Sequence, residues 1–329
     1  MGRHANPPIP PQAVVAAPLS GISDAPFRAV SRRWGADLVI SEMIASRAVL
    51  DDSRQSRQER AKMPIEEGAA VQLAGCDPAI MAEAARVAVG EGATAIDINF
   101  GCPAKKVVNQ AAGSAIMADE DLAARILQAV AAAVEVPVSV KMRLGWRRDR
   151  RNAAHIAALA QAAGLRAITV HGRTRDQGFT GAADWQAVAS VRSLCGLPLL
   201  VNGDIVSAQD AVNAQSAAAA QGVMIGRGAC GKPWLFREAK AALTGRPLPK
   251  PPSFAERQES ACRHYEAILH HYGDRQGLRV ARKHVGWYLD ALPGGGAWRQ
   301  RLLRDDNPAA VVAGLAAAHR EAGDLAEAA

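Results

Sequence analysis

Residues 14–21 read Val14-Val15-Ala16-Ala17-Pro18-Leu19-Ser20-Gly21. An apolar run this short, closed by a proline and a turn, is a candidate buried strand. The turn at its end separates two α/β architectures. A doubly wound open sheet normally places a Gly-rich phosphate turn directly after its first strand, and Pro18-Leu19-Ser20 is no such turn. Seven more runs rich in Val, Ile and Leu start near Leu38, Ala70, Ala95, Val138, Ala167, Leu199 and Gly222, each leading into an Ala-rich segment with helical spacing. The mean repeat is about 30 residues, the size of one βα unit. Eight such units predict a TIM (β/α)8 barrel.

The remaining composition sets the boundaries. At 329 residues, 49% hydrophobic and 22% charged, the chain is an ordinary globular protein with room for one large and one smaller domain. Pro247, Pro249, Pro251 and Pro252 mark a linker. The barrel is therefore expected over 1–245, the linker over 246–252 and an all-helical domain over 253–329. No run approaches the roughly 18–20 apolar residues of a bilayer span, so no membrane association is expected. Neither export nor lipid anchoring is expected from the first residues, Gly2 to Ala17. Cys76, Cys102, Cys195, Cys230 and Cys262 form an odd set with no CxxC pair, which argues for the reducing cytoplasm and against a zinc knuckle. His264, His270 and His271 complete no ligand set, and no metal site is expected.

Net charge is +7, a modest hint of a polyanionic partner. The charge is unevenly spread. Between Arg257 and Arg304 nine Lys or Arg face Glu259, Glu266, Asp274 and Asp290, interleaved with Tyr265, Tyr272 and Tyr288. This stretch reads equally as a nucleic-acid face or as the solvated side of an amphipathic bundle.

A barrel gathers its active site at the C-terminal ends of its strands. Those positions are polar almost without exception: Ser20, Glu42, Gln72, Asn99 with Cys102, Lys141 with Arg143, His171, Asn202 with Asp204, and Gly226 with Arg227. Unpartnered buried polar groups cost roughly 1–3 kcal/mol each, so the ring is expected to face a polar ligand. Asn202-Gly203-Asp204 and Gly226-Arg227-Gly228 end strands seven and eight, where such barrels often bind phosphate. Gln72 and Lys141 suit the edge of a flat heterocycle. Together they point to FMN. Cys102 lies between Gly101 and Pro103 on the longest loop, which runs from the strand near 95 to the strand near 138.

Asp97-Ile98-Asn99-Phe100-Gly101-Cys102-Pro103, Lys141-Met142-Arg143, His171-Gly172-Arg173-Thr174, Asn202-Gly203-Asp204 and Gly226-Arg227 form an ordered set that resembles the tRNA-dihydrouridine synthases. Arg282-Lys283-His284 with Trp287-Tyr288 looks like the B-type bacterial branch. The resemblance implies an FMN-containing barrel, a tRNA-binding helical domain and reduction of uridine to 5,6-dihydrouridine, with position 17 of the D-loop usual for that branch. It also implies site roles. Pro18, Leu19, Ser20, Gln72, Lys141, His171, Asn202, Gly203, Asp204, Gly226 and Arg227 would hold the cofactor, and Asn99, Cys102, Lys141, Arg143 and His171 would meet the base. The motif departs from its relatives at Pro18-Leu19-Ser20-Gly21 and at Phe100, both expected beside the flavin.

The chemistry fits these residue types. The C5=C6 bond of uracil is conjugated with the C4 carbonyl, so hydride addition at C6 leaves negative charge on oxygen and C5 must then take a proton. Cys102 is the expected donor, because a free thiol is protonated below about pH 8.5. Lys141 and Arg143 would stabilise the charge. NADPH or NADH would recharge the flavin. The uridine must leave its stack, and Arg147, Arg148, Arg173 and Arg175, with Arg279, Arg282 and Lys283 in the tail, are expected to hold phosphates in compensation. Two other readings stay open from the residues alone: an FMN oxidoreductase of a free pyrimidine, similar to dihydroorotate dehydrogenase, and a non-catalytic RNA-binding factor. Oligomeric state is unread, and a monomer is compatible with everything above.

Overall fold

The computed structural model describes residues 9–50 and 70–327. Eight parallel strands close a barrel in sequence order: β1 (Val14–Ala16), β2 (Leu38–Ala45), β3 (Ala70–Ala74), β4 (Ala95–Phe100), β5 (Val138–Arg143), β6 (Ala167–His171), β7 (Leu199–Asn202) and β8 (Gly222–Ile225). Every strand starts where the apolar runs predict. The helices of the described residues are α1 (Ala25–Arg33), α2 (Ser46–Leu50), α3 (Pro78–Gly90), α4 (Lys105–Val108), α5 (Glu120–Ala133), α6 (Ala153–Ala162), α7 (Trp185–Val188), α8 (Ala208–Ala217) and α9 (Leu235–Leu243), then α10 (Phe254–Tyr272), α11 (Asp274–Asp290), α12 (Gly295–Leu302) and α13 (Pro308–Glu327). The TIM barrel followed by a helical tail is the architecture the repeat implies.

Side chains alternate across a strand, and this alternation builds both the core and the site. On β4, Ile96, Ile98 and Phe100 are buried against the outer helices, together with Val138, Val140 and Met142 of β5. Asp97 and Asn99 take the other face. The barrel interior is divided by strand. Val15, Ala17, Ile40, Leu200 and Met224 fill the side of β1, β2, β7 and β8 with an apolar cluster, while Gln72, Asp97 and Ser139 are bonded to one another on the side of β3, β4 and β5. Phe100 thus belongs to the outer core, with no exposed surface. The expectation that it lies beside the cofactor is corrected by one residue of strand register.

Tail helices α10–α13 share a separate apolar cluster that includes Tyr265, Ile268, Leu289, Leu302 and Leu315. Ser253 starts α10 with a capping box, its hydroxyl accepting from Glu256 N–H and the Glu256 carboxylate accepting from Ser253 N–H at 2.7 Å. The tail is fastened to the barrel chiefly through α1. Trp34 donates to Ser260 at 2.9 Å, Arg33 pairs with Glu259 at 2.8 Å, and the Phe27 ring meets the His264 and His284 rings.

Candidate active site

The C-terminal ends of the strands open into a cavity of about 810 Å³. Its wall includes Pro18, Leu19 and Ser20 from the loop after β1, then Gln72, Asn99, Cys102, Lys141, Arg143 and His171, then Asn202, Gly203, Asp204, Gly226 and Arg227. All the residues expected to hold cofactor or base therefore meet in one space. Glu42 does not line it. Its carboxylate accepts from Ile22 N–H at 3.0 Å and props the loop after β1 from behind.

A buried hydrogen-bond chain sets the polarity of the β3–β5 side. The Asp97 carboxylate accepts from Ser139 and from the Gln72 amide, both at 2.6 Å. Gln72 Oε1 accepts from Asn99 Nδ2 at 2.7 Å. Asn99 Oδ1 in turn accepts from Gly101 N–H at 3.1 Å and Cys102 N–H at 2.9 Å. Burial raises the Asp97 carboxyl while Ser139, Gln72 and Lys141 oppose the rise, and both its oxygens accept, so each amide in the chain is held in one orientation. Asn99 is left with one N–H for a ligand. From the other side, Ser114 donates to the Cys102 carbonyl at 2.8 Å, and the space where a Gly113 side chain would start lies 2.9 Å from that oxygen. Gly113 has φ +62, so this backbone turn needs glycine for conformation and for space. Cys102 is thereby fixed at the cavity wall.

The charges are arranged around this chain. Burial and then the neighbouring Arg143 lower Lys141 to about 8, while Asp97 pulls in the opposite direction. Burial and Arg173 lower Arg143 to about 10, which leaves it cationic. Burial, reinforced by Lys141, Arg143, Arg173 and Arg227, drives His171 down to about 2. His171 is a neutral imidazole, and its Nδ1 is buried without a protein partner. The atom is available to a ligand's donor or acceptor.

Several arginines are already committed. Arg143 donates to the carbonyls of Gly101, Thr174 and Gly178 at 2.8–3.0 Å, tying the Cys102 loop to the loop after β6. Arg173, expected to grip phosphate, is instead buried and forks onto both oxygens of Asp204, at 3.0 and 2.6 Å. That pair braces the β7 turn, where Gly203 has φ +116 and Asp204 φ +53. Arg175 lines the cavity and lies over the Trp146 ring at 4.1 Å. Arg147 and Arg148 are exposed on the loop after β5, Arg147 paired with Asp149 at 3.3 Å. In the tail Arg279 is exposed, Arg282 pairs with Asp306 at 2.6 Å, and Lys283 donates to the Gly21 carbonyl. His264 is buried beside Tyr288, and among the described residues no cluster of three His, Cys, Asp or Glu could hold a metal.

Sequence reasoning missed Phe179. It lines the cavity mouth with 60% of its surface exposed, and Arg143 and Arg227 sit 5.6 and 4.8 Å from its ring centroid. An exposed aromatic among cations is a stacking platform for a base. A lone Phe in a polar loop was its only signal.

The cavity fits FMN on its own features. Its volume lies in the range of about 300–1,000 Å³ typical of ligand sites. Gly203 and Gly226 let the backbone approach a phosphate, with Arg227 exposed beside them. Lys141, the unpartnered His171 Nδ1 and the remaining Gln72 N–H supply the donors a flavin ring would use.

A family model described as dihydrouridine synthase matches residues 14–322. The chain is 48% identical over 310 residues to a probable tRNA-dihydrouridine synthase of Rhodobacter capsulatus, covering 94% of this chain and 95% of the relative. It is 46% identical over 299 residues to a protein of the same description from Rickettsia conorii, covering 91% and 90%. It is also 46% identical over 295 residues to the tRNA-dihydrouridine synthase B of Pseudomonas aeruginosa, covering 89% of each. With barrel and tail both inside these matches, this chain belongs to the dihydrouridine synthase family.

Proposed function

We propose that this protein is a flavin-dependent oxidoreductase that uses FMN to reduce a uridine of tRNA to 5,6-dihydrouridine, with D-loop position 17 as the target and NADPH or NADH as the reductant. The observation that carries the reading is the convergence of Cys102, Lys141 and His171 on one cavity with the Gly203 and Gly226 turns. No helix of the described residues is long and apolar enough to cross a membrane, and we place the enzyme with its tRNA in the cytoplasm. One chain supplies every group named, so a monomer suffices.

When bound and reduced, FMN supplies the hydride that adds at C6 of the base. The protein's residues do the rest. Asn99 and the His171 imidazole orient the uracil carbonyls by hydrogen bonds. Lys141 and Arg143 place positive charge beside the oxygen that becomes negative, in a site where burial strengthens the interaction. Cys102, held through its N–H and its carbonyl, delivers the thiol proton to C5. Phe179 offers a face for the unstacked base at the mouth. The free-pyrimidine and scaffold readings draw no support from relatives that cover the tail as well as the barrel.

A purified chain that is yellow, bleaches with a reduced nicotinamide and reoxidises on adding tRNA meets the proposal. A site-by-site dihydrouridine map that is unchanged in cells lacking the protein would falsify it.

A further inference from the structure

Pro18, Leu19 and Ser20 line the cofactor cavity from an irregular loop, so something must hold that loop in place. Its upstream end is tied to the barrel, where Ala17 N–H donates to the Ile225 carbonyl at 2.9 Å, and the loop is closed on itself by Leu19 N–H donating to Ser23 Oγ at 2.7 Å. Its downstream end is Gly21, with φ +75. The Glu42 carboxylate on β2 receives the N–H of Ile22 at 3.0 Å. The Gly21 carbonyl receives the Lys283 ammonium, which comes from α11 in the tail. One peptide is therefore gripped on one side by the barrel and on the other by the tail.

The charges explain why the grip needs a cation. Asp24 caps α1 through Phe27 N–H at 3.0 Å, and its other carboxylate oxygen is buried with no hydrogen-bond partner among the described residues. Burial pushes both Asp24 and Glu42 upward, and Asp24 raises Glu42 further. Lys283 opposes the rise at both, with His271 adding to it at Asp24. Two carboxylates that shape the loop thus share the Lys283 charge.

We propose that Lys283 is a positioning residue for the cofactor loop, through which the helical tail sets the affinity of the barrel for FMN. The inference rests on the FMN reading of the cavity. It assigns Lys283 a different task from the phosphate contact the sequence suggests, and the two tasks have different signatures. A phosphate contact contributes about one to the slope of log affinity against log salt for tRNA and leaves the cofactor alone. A loop anchor acts on the cofactor and leaves that slope alone.

The test uses the full chain, with FMN affinity read by flavin fluorescence and tRNA affinity read over a series of salt concentrations. Lys283→Met should weaken FMN binding about tenfold or more, the scale of a lost charge-assisted hydrogen bond, while the salt slope stays that of the parent. Lys283→Arg should restore most of the loss. Glu42→Gln should also weaken FMN. Combined with Lys283→Met it should cost less than the product of the two single losses, because both groups hold one peptide. An FMN affinity in Lys283→Met within about twofold of the parent overturns the proposal, as do losses that simply multiply in the double variant. A lowered melting temperature with unchanged FMN affinity would mean that Lys283 only fastens the tail. A parent chain that binds no FMN would be a different failure, that of the cofactor reading itself.

Discussion

At the level of single residues, the site works because its polar atoms are spent in a definite order. Asn99 gives Oδ1 to the Gly101 and Cys102 N–H groups and one N–H to Gln72, so the Cys102 backbone is positioned by a residue that keeps a second N–H at the cavity wall. Nothing in these bonds depends on the sulfur. Cys102→Ala should therefore retain flavin colour and tRNA affinity while slowing base reduction by about 10²–10⁴, the usual contribution of a general acid. Single-turnover reoxidation of the reduced enzyme by tRNA measures it, and an unslowed rate would show that another group delivers the proton. Lys141 makes a prediction in pH. Its ordinary value is 10.5, and burial with Arg143 lowers it to about 8. The ammonium, and with it the stabilisation of developing negative charge, is present below about 8 and lost above. kcat/KM should decline on the alkaline side of that value, and Lys141→Met should show a low rate across the whole pH range.

At the level of elements, β4 is the strand that joins core to site, since its alternation sends Asp97 and Asn99 inward and Ile96, Ile98 and Phe100 outward. Asp97 supports the Lys141 charge. Asp97→Asn should therefore shift the alkaline limb of kcat/KM to lower pH, while the amide keeps its oxygen for the Gln72 N–H and turns its NH2 to the Ser139 hydroxyl, which can accept. A limb that stays put would mean the carboxylate only orients amides. Phe100→Met replaces one buried apolar residue by another of similar size in the outer core. It should cost less than about 1.5 kcal/mol and leave FMN affinity unchanged, readable from denaturant melts beside flavin titration. The same alternation explains what the sequence could and could not tell. Strand starts were legible because each apolar run is bounded by turn residues, and strand-end residues such as Lys141 and His171 were legible because a barrel fixes where they point. Phe100 was misplaced because motif proximity says nothing of which strand face a residue takes. Phe179 and the burial of Arg173 were illegible because both depend on how the loop after β6 folds back onto β7, which no local period encodes.

At the level of the whole molecule, the chain joins a cavity that fits a flat, anionic cofactor to a helical tail that carries exposed cations. The two are not independent bodies linked by prolines, since α1, the loop after β1 and Gly231 all meet α10 or α11. That contact and ion pairs within the tail together take up part of the basic character the composition promised. Lys283 turns inward to the Gly21 carbonyl, Arg263 pairs with Glu259, Arg282 with Asp306 and Arg299 with Asp290. Exposed Arg275, Arg279, Arg301 and Arg304 remain without an ion pair among the described residues. Pairing decides what each can give to RNA, because an arginine that must leave a carboxylate recovers by a phosphate contact only part of what it loses. Arg279→Ala should therefore reduce the salt slope of tRNA binding by about one and weaken binding at low salt. Arg282→Ala should move the slope by less, since Asp306 already neutralises that guanidinium. Titrations of both variants across a salt series decide it: equal slopes for the two would mean that the Arg282–Asp306 pair opens freely and that the tail offers its full positive charge to tRNA.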